Sequence, residues 1–167
     1  MDRDGFERQF SLVTESLAGS AAPGISGRPI ATDRRFWVQN GVSSIISLNE
    51  TELDWAALAP IPHLREPVKD YGAPTLEQMT RIEEFWLRHR GSGVVCVHCN
   101  AGMGRTGTIL CCLMLCEDLS LDASSALARL RSLRRGSVQT RKQEEFVREW
   151  AALLALRSFS SCVDDEN

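Results

Sequence analysis

Hydrophobic positions along this chain switch repeatedly between a strand-like and a helix-like pattern. Val42 to Leu48, with Val42, Ile45, Ile46 and Leu48, is rich in apolar and β-branched residues and follows Asn40-Gly41, a pair that stops helices. That pattern predicts a buried strand. Gly93 to Val97 (Gly-Val-Val-Cys-Val) predicts a second one. His63 to Val68 reads as a third, but Pro67 confines it to a sheet edge or a strand end.

Helical spacing fills the intervals. Thr32 or Asp33 is placed to cap a short helix reaching Gln39. Thr75-Leu-Glu-Gln78 matches a capping box, and Leu76, Met79, Ile82, Phe85 and Trp86 then mark one helical face before Gly91. Arg105 to Glu117 is apolar enough for a central buried helix. A further helix is expected from Leu121-Asp122 to Gly136, with Ala126, Leu127, Leu130 and Leu133 facing inward. Thr140-Arg-Lys-Gln143 is a second capping box, opening a helix with Phe146, Val147, Trp150, Leu153 and Leu154 on one side. Residues 19–29, rich in Gly, Ala, Ser and Pro, read as a loop. The periodicity fades at Arg157, so a domain over 1–157 and a flexible tail over 158–167 are expected. Strands alternating with helices predict a single α/β domain with a central, mostly parallel sheet flanked by helices.

Composition narrows the possibilities without changing the fold. The 167 residues suit one soluble domain, and a net charge of −3 supplies no global field for nucleic acid. Six cysteines stand at 96, 99, 111, 112, 116 and 162, which is not the spacing of a secreted disulfide framework. Cys96 and Cys99 form one C-x-x-C, but Val97-His98 between them belongs to a strand, so no metal is expected. The first residues lack a signal-length apolar stretch, and the apolar run near 108–116 is too short to span a bilayer. A monomer in the cytoplasm, with the nucleus as a second compartment, is the expectation, without membrane or nucleic-acid partners.

The chemistry concentrates in residues 98–107, His-Cys-Asn-Ala-Gly-Met-Gly-Arg-Thr-Gly. A strand precedes this segment and a helix follows it. Ligand sites form at such strand carboxyl ends, where successive backbone N–H groups and a helix N-terminus can converge on an anion. The loop Asn100, Ala101, Gly102, Met103, Gly104 and Arg105 is therefore a candidate phosphate cradle. Gly102 and Gly104 permit close backbone approach. That positive environment favours the thiolate of Cys99, the candidate nucleophile. Arg105 offers a planar fork to two phosphate oxygens. Thr106 can donate its hydroxyl to the sulfur, and His98 can orient the loop. Coincidence of residue types at seven fixed positions has a chance of about 10⁻⁷ per start, on ordinary amino-acid frequencies. Asp70, in the turn-rich segment 68–74, is either a general acid for this site or a plain turn aspartate.

The segment resembles the signature His-Cys-x5-Arg-Ser/Thr of the cysteine-based protein tyrosine phosphatases. Leu17 to Ser20, Phe36 to Glu50 and Arg134 to Ser137 extend the resemblance toward the small atypical dual-specificity branch, over roughly residues 12–156. It implies that Cys99 attacks phosphorus while Asp70, on an upstream mobile loop, protonates the leaving oxygen, with Glu66 as the fallback acid. It also implies that Gln139 or Gln143 positions water for hydrolysis of the phosphocysteine, although Gln143 is equally the third residue of a capping box. Asn49 is placed to brace the phosphate loop. No cofactor is implied. The implied substrate is a phosphorylated protein, phosphotyrosine first and phosphoserine or phosphothreonine beside it, with phosphate or another oxyanion in the site.

Three other readings use the same residues. A phosphoinositide phosphatase would carry lysines in the loop, where this chain has neutral Asn100 and Met103. An RNA 5′-phosphatase would need a basic surface, and Arg129, Arg131, Arg134 and Arg135 cluster where a helix C-terminus favours cations anyway. A non-catalytic phosphoprotein-binding module would have lost Cys99, Arg105 or Asp70, and all three are present.

Overall fold

The computed structural model describes residues 9–25 and 27–164, with residues 159–164 as backbone alone. Its sheet contains β1 (Ser11–Leu12), β2 (Leu17–Ser20), β3 (Val42–Ser47), β4 (His63–Arg65) and β5 (Val94–His98) in the order β1-β2-β5-β3-β4. β5 lies in the middle, parallel to both β2 and β3, and only β1 pairs antiparallel. The helices are α1 (Ile30–Gln39), α2 (Trp55–Leu58), α3 (Leu76–His89), α4 (Gly104–Glu117), α5 (Ala123–Leu133) and α6 (Arg141–Asp164).

The two-residue period of β5 sorts its side chains onto two cores. Val95 and Val97 pack with Met79, Trp86, Ile109, Leu110 and Trp150 beneath α3, α4 and α6. Val94 and Cys96 face the other way, against Trp37 and Leu58 of α1 and α2. Because both faces of β5 are covered, its sequence shows a continuous apolar run rather than alternation. α4 starts at the end of β5 and is buried from Gly104 through Leu115. The mostly parallel α/β sheet flanked by helices is thus as the hydrophobic pattern predicts.

Local departures have identifiable causes. Gly19 and Ser20, read as loop, pair with Val97 and His98 in the sheet. A Cβ at Gly19 would lie 2.8 Å from Leu110 and from Arg134, so this strand position needs a glycine that propensity alone counts against it. Neither Thr32 nor Asp33 caps α1, which begins after Pro29. Asp33 is instead fully buried, accepting from Gly24 N at 2.7 Å and pairing with Arg28 at 3.1 Å. β4 stops at Arg65 on the sheet edge. Glu66 N and Val68 N still bond to the carbonyls of Ser47 and Leu48, and Pro67 between them has no N–H to give. Leu133 is exposed rather than inward, because α5 ends there, and Leu76 is also exposed. α6 continues as helix past Arg157 to Asp164, and the last part of the expected tail, residues 165–167, lies outside the described residues. No proline or glycine interrupts it, and Arg157 pairs with Glu83 at 2.9 Å. Among the described residues no helix is long and apolar enough to cross a membrane.

Candidate active site

The loop from Cys99 to Met103 lies at the carboxyl end of the central strand, and its conformation is set from beneath. Gly102 has φ +75°, and a Cβ there would fall 2.5 Å from the carbonyl oxygen of Ser20. Only glycine lets the loop turn this tightly against β2. Ala22 N donates to Asn100 O at 2.9 Å, fixing the outer edge. α4 then begins at Gly104 with no side-chain cap on its first amides, which leaves them to an anion in the loop.

His98 is fully buried, tilted against Trp37 with ring centroids 5.7 Å apart. Burial lowers its pKa to about 4, with Arg105 adding to that shift and the contact to Cys99 O opposing it. It is neutral at pH 7, with Nδ1 3.3 Å from Cys99 O. Its one hydrogen-bonding contact among the described residues is thus at the start of the loop.

Cys99 lines a small cleft of about 100 Å³ with Asp70, Tyr71, Asn100, Arg105, Gln139 and Gln143. Arg105 is buried on the first turn of α4, donating from Nη1 to Val68 O at 2.9 Å. Its Nη2 lies 3.1 Å from Asp70 Oδ1, and Nη1 lies 3.8 Å from Glu50 Oε2. The side chain of Asp70 is exposed at the cleft mouth. Its amide donates to Glu50 Oε2 at 3.1 Å. The fallback acid, Glu66, is buried and held bidentate by Arg81 at 2.6 and 3.0 Å, outside the cleft. Thr106 Oγ1 is buried with no hydrogen-bond partner among the described residues.

The two glutamines divide their roles. Gln143 Oε1 accepts from Gln139 N at 2.8 Å and Thr140 N at 3.2 Å, and its Nε2 donates to Gly72 O at 3.0 Å. Gln143 N returns to Thr140 Oγ1, so the capping box forms as the spacing predicts. Gln139 points its Oε1 over the loop, where a Cβ on Gly104 would come within 2.7 Å of it. Asn49 is buried beside this region with Oδ1 unpartnered among the described residues. It makes no bracing bond to the phosphate loop.

That brace comes from Arg134. Its Nη2 donates to Gly102 O at 2.6 Å, and Nη1 donates to Gln9 O at 2.9 Å, Ser11 Oγ at 2.5 Å and Gly19 O at 3.0 Å. Burial lowers the Arg134 pKa, while the facing Cys96 and Cys99 work against that shift. A second guanidinium thus stands behind the loop that follows Cys99. Arg131 holds the other wall, donating to Ser137 O and Val138 O at 3.1 and 2.9 Å. In the sequence these arginines look like ordinary cations at a helix end.

A family model described as Swiss Army Knife protein, DSP-PTPase phosphatase domain, matches residues 15–147. The chain belongs to the DSP-PTPase family. The human receptor-type tyrosine-protein phosphatase R is 45% identical over 82 residues, 47% of this chain and 12% of that protein. Protein tyrosine phosphatase domain-containing protein 1 of Danio rerio is 37% identical over 100 residues, 58% of this chain and 14% of its own length. The chain thus spans between 12% and 14% of these two curated relatives. A crystal structure of PTPMT1 in complex with PI(5)P has the same fold, with a TM-score of 0.76 at 20% identity, covering 90% of this chain and 99% of that one.

The matched span of this DSP-PTPase domain includes the acid loop, the cysteine loop and both glutamines. Among the described residues the other cysteines do not line the cleft. Cys96, Cys111 and Cys112 are buried, and Cys116 is half-buried. Burial pushes the Cys111 and Cys116 thiols up to about 12 and raises those of Cys96 and Cys112 as well. Thiols shifted this way stay protonated at neutral pH.

Proposed function

We propose that the domain is a protein phosphatase that hydrolyses phosphotyrosine, and phosphoserine or phosphothreonine beside it, through a phosphocysteine on Cys99. The observation that carries this reading is the convergence of Cys99, Arg105 and Asp70 on one cleft, with Asp70 Oδ1 3.1 Å from Arg105 Nη2. In the first step the Cys99 thiolate attacks phosphorus, and the bond to the leaving oxygen breaks. Asp70 in its acid form gives that oxygen a proton. Arg105 and the loop amides hold the equatorial oxygens throughout. In the second step Asp70, now a carboxylate, takes a proton from water aligned by Gln139. The P–S bond breaks, phosphate leaves and the thiolate is restored. Thr106 Oγ1, buried and unpartnered, supports the leaving sulfur.

Neutral Asn100 and Met103 favour a phosphoprotein over an inositol lipid. Segments 17–20, 36–50 and 134–137 resemble the small atypical dual-specificity branch, of which dual specificity protein phosphatase 23 is our candidate relative. Unpaired cysteines at 96, 99, 111, 112 and 116 support a reducing compartment, the cytoplasm or nucleus, and we read the domain as a monomer. The test is phosphate release from an aryl phosphate with a chelator present, followed by phosphotyrosyl peptides and phosphoinositides in parallel. Wild-type protein is expected to be active and Cys99→Ser inactive. A Cys99→Ser variant at full rate overturns the mechanism, and preference for the lipids overturns the substrate.

A further inference from the structure

Two hydrogen bonds join the acid loop to the glutamine loop, and neither is used by the chemistry above. Thr140 Oγ1 donates to Tyr71 O at 3.2 Å, and Gln143 Nε2 donates to Gly72 O at 3.0 Å. Both acceptors follow Asp70 directly in the chain. The Thr140 hydroxyl also accepts from Gln143 N at 3.2 Å. One hydroxyl thus caps α6 with a lone pair and spends its proton on the acid loop.

The acid loop needs such a hold. Tyr71 has φ +56°, a left-handed conformation that a bulky residue keeps only when its surroundings impose it. Its amide is turned onto Asp70 Oδ1 at 3.1 Å, and its carbonyl is turned onto Thr140. Tyr71 is 64% exposed, so packing does not supply the constraint. Asp70 is itself exposed, and its contact with Arg105 uses the Nη2 group that a substrate phosphate would claim. Once phosphate is bound, that ion pair weakens, while the Tyr71–Thr140 bond is untouched.

We infer that Thr140 is a positioning residue for the general acid, holding Tyr71 on the N-terminus of α6, beside the Gln143 bond to Gly72, so that Asp70 stays over the cleft once a phosphate takes Arg105 Nη2. The same contact makes the acid loop and Gln139 one mechanical unit. This inference rests on the phosphatase reading above.

The experiment compares kcat/KM for p-nitrophenyl phosphate, whose leaving group needs little protonation, with phenyl phosphate, which needs much. Thr140→Val removes the donor and the cap. Thr140→Asp keeps a capping acceptor but has no proton to donate. Thr140→Ser keeps both. Val and Asp variants are expected to lose roughly tenfold more activity toward phenyl phosphate than toward p-nitrophenyl phosphate, as a displaced acid would. The Ser variant is expected to keep the wild-type ratio. Loss of the cap alone lowers thermal stability without moving that ratio. An active Thr140→Val with the wild-type ratio overturns the tether alone. Wild-type protein that releases phosphate from neither ester overturns the phosphatase reading, and the tether with it.

Discussion

Asp70 and Arg105 form an ion pair at the mouth of the cleft, with Oδ1 3.1 Å from Nη2, between an exposed carboxylate and a buried guanidinium. The asymmetry matters. Arg105 is fixed by Val68 O and the packing of α4, whereas Asp70 is held by loop contacts. A buried cation beside an exposed acid suits a reaction in which the acid must meet one oxygen and then a water. Asp70→Asn keeps the size and loses the proton. It is expected to lower kcat for phenyl phosphate by roughly 10²-fold with little change in KM. Steady-state kinetics check this, and an unchanged kcat would remove Asp70 from the mechanism.

Arg134 offers a different prediction because it never enters the cleft. It satisfies four acceptors from the N-terminal segment, β2 and the phosphate loop. Arg134→Lys replaces a planar fork by a single point charge and leaves buried acceptors unpaired. Urea unfolding is expected to show a loss of about 2–4 kcal/mol. Activity should fall too, since Gly102 O loses its anchor.

Gly102 gives a steric prediction. Its φ of +75° and the 2.5 Å approach of a hypothetical Cβ to Ser20 O leave no room for alanine. Gly102→Ala is expected to shift the loop and weaken oxyanion binding, read as a smaller rise in Tm with phosphate or vanadate than wild type shows. An equal rise would mean that the loop absorbs the methyl group.

His98 sets a pH dependence of stability. An unfolded histidine titrates near 6.5, and burial brings His98 to about 4. Between those values only the unfolded chain takes up the proton. Stability is therefore full above the upper value and falls as pH drops through the window, by about 3 kcal/mol at its foot. Denaturant titrations from pH 7 to 4 test this. The decline should shrink in His98→Asn, which does not titrate there.

Much of the site was readable before folding because its residues are neighbours in the chain. The glycines, Cys99 and Arg105 lie within one strand-turn-helix unit, so backbone geometry dictates their convergence. The capping boxes at Thr75 and Thr140 were readable for the same reason, since a cap spans only three residues. Asp70, Gln139 and Gln143 are legible in the sequence only through the family resemblance, and the fold brings all three to the cleft.

Other features were not local. Asp33 looks like a helix cap but is satisfied by Arg28 and Gly24 N. Glu66 looks like an alternative acid until Arg81 is found to occupy it. Arg134 looks like a surface cation, and its acceptors lie up to 125 residues away. The Thr140–Tyr71 contact spans 69 residues between two loops with no shared pattern. By itself, then, the sequence determined the alternation of strands and helices, the two-sided burial of β5 and the anion-binding loop. Each follows from periodicity or from contacts within one turn. Tertiary structure alone decided which charged side chains are paired, which arginine braces the loop and what holds the acid. Those outcomes depend on which distant backbone carbonyls are left without partners when the sheet closes under α4, and no local pattern records that.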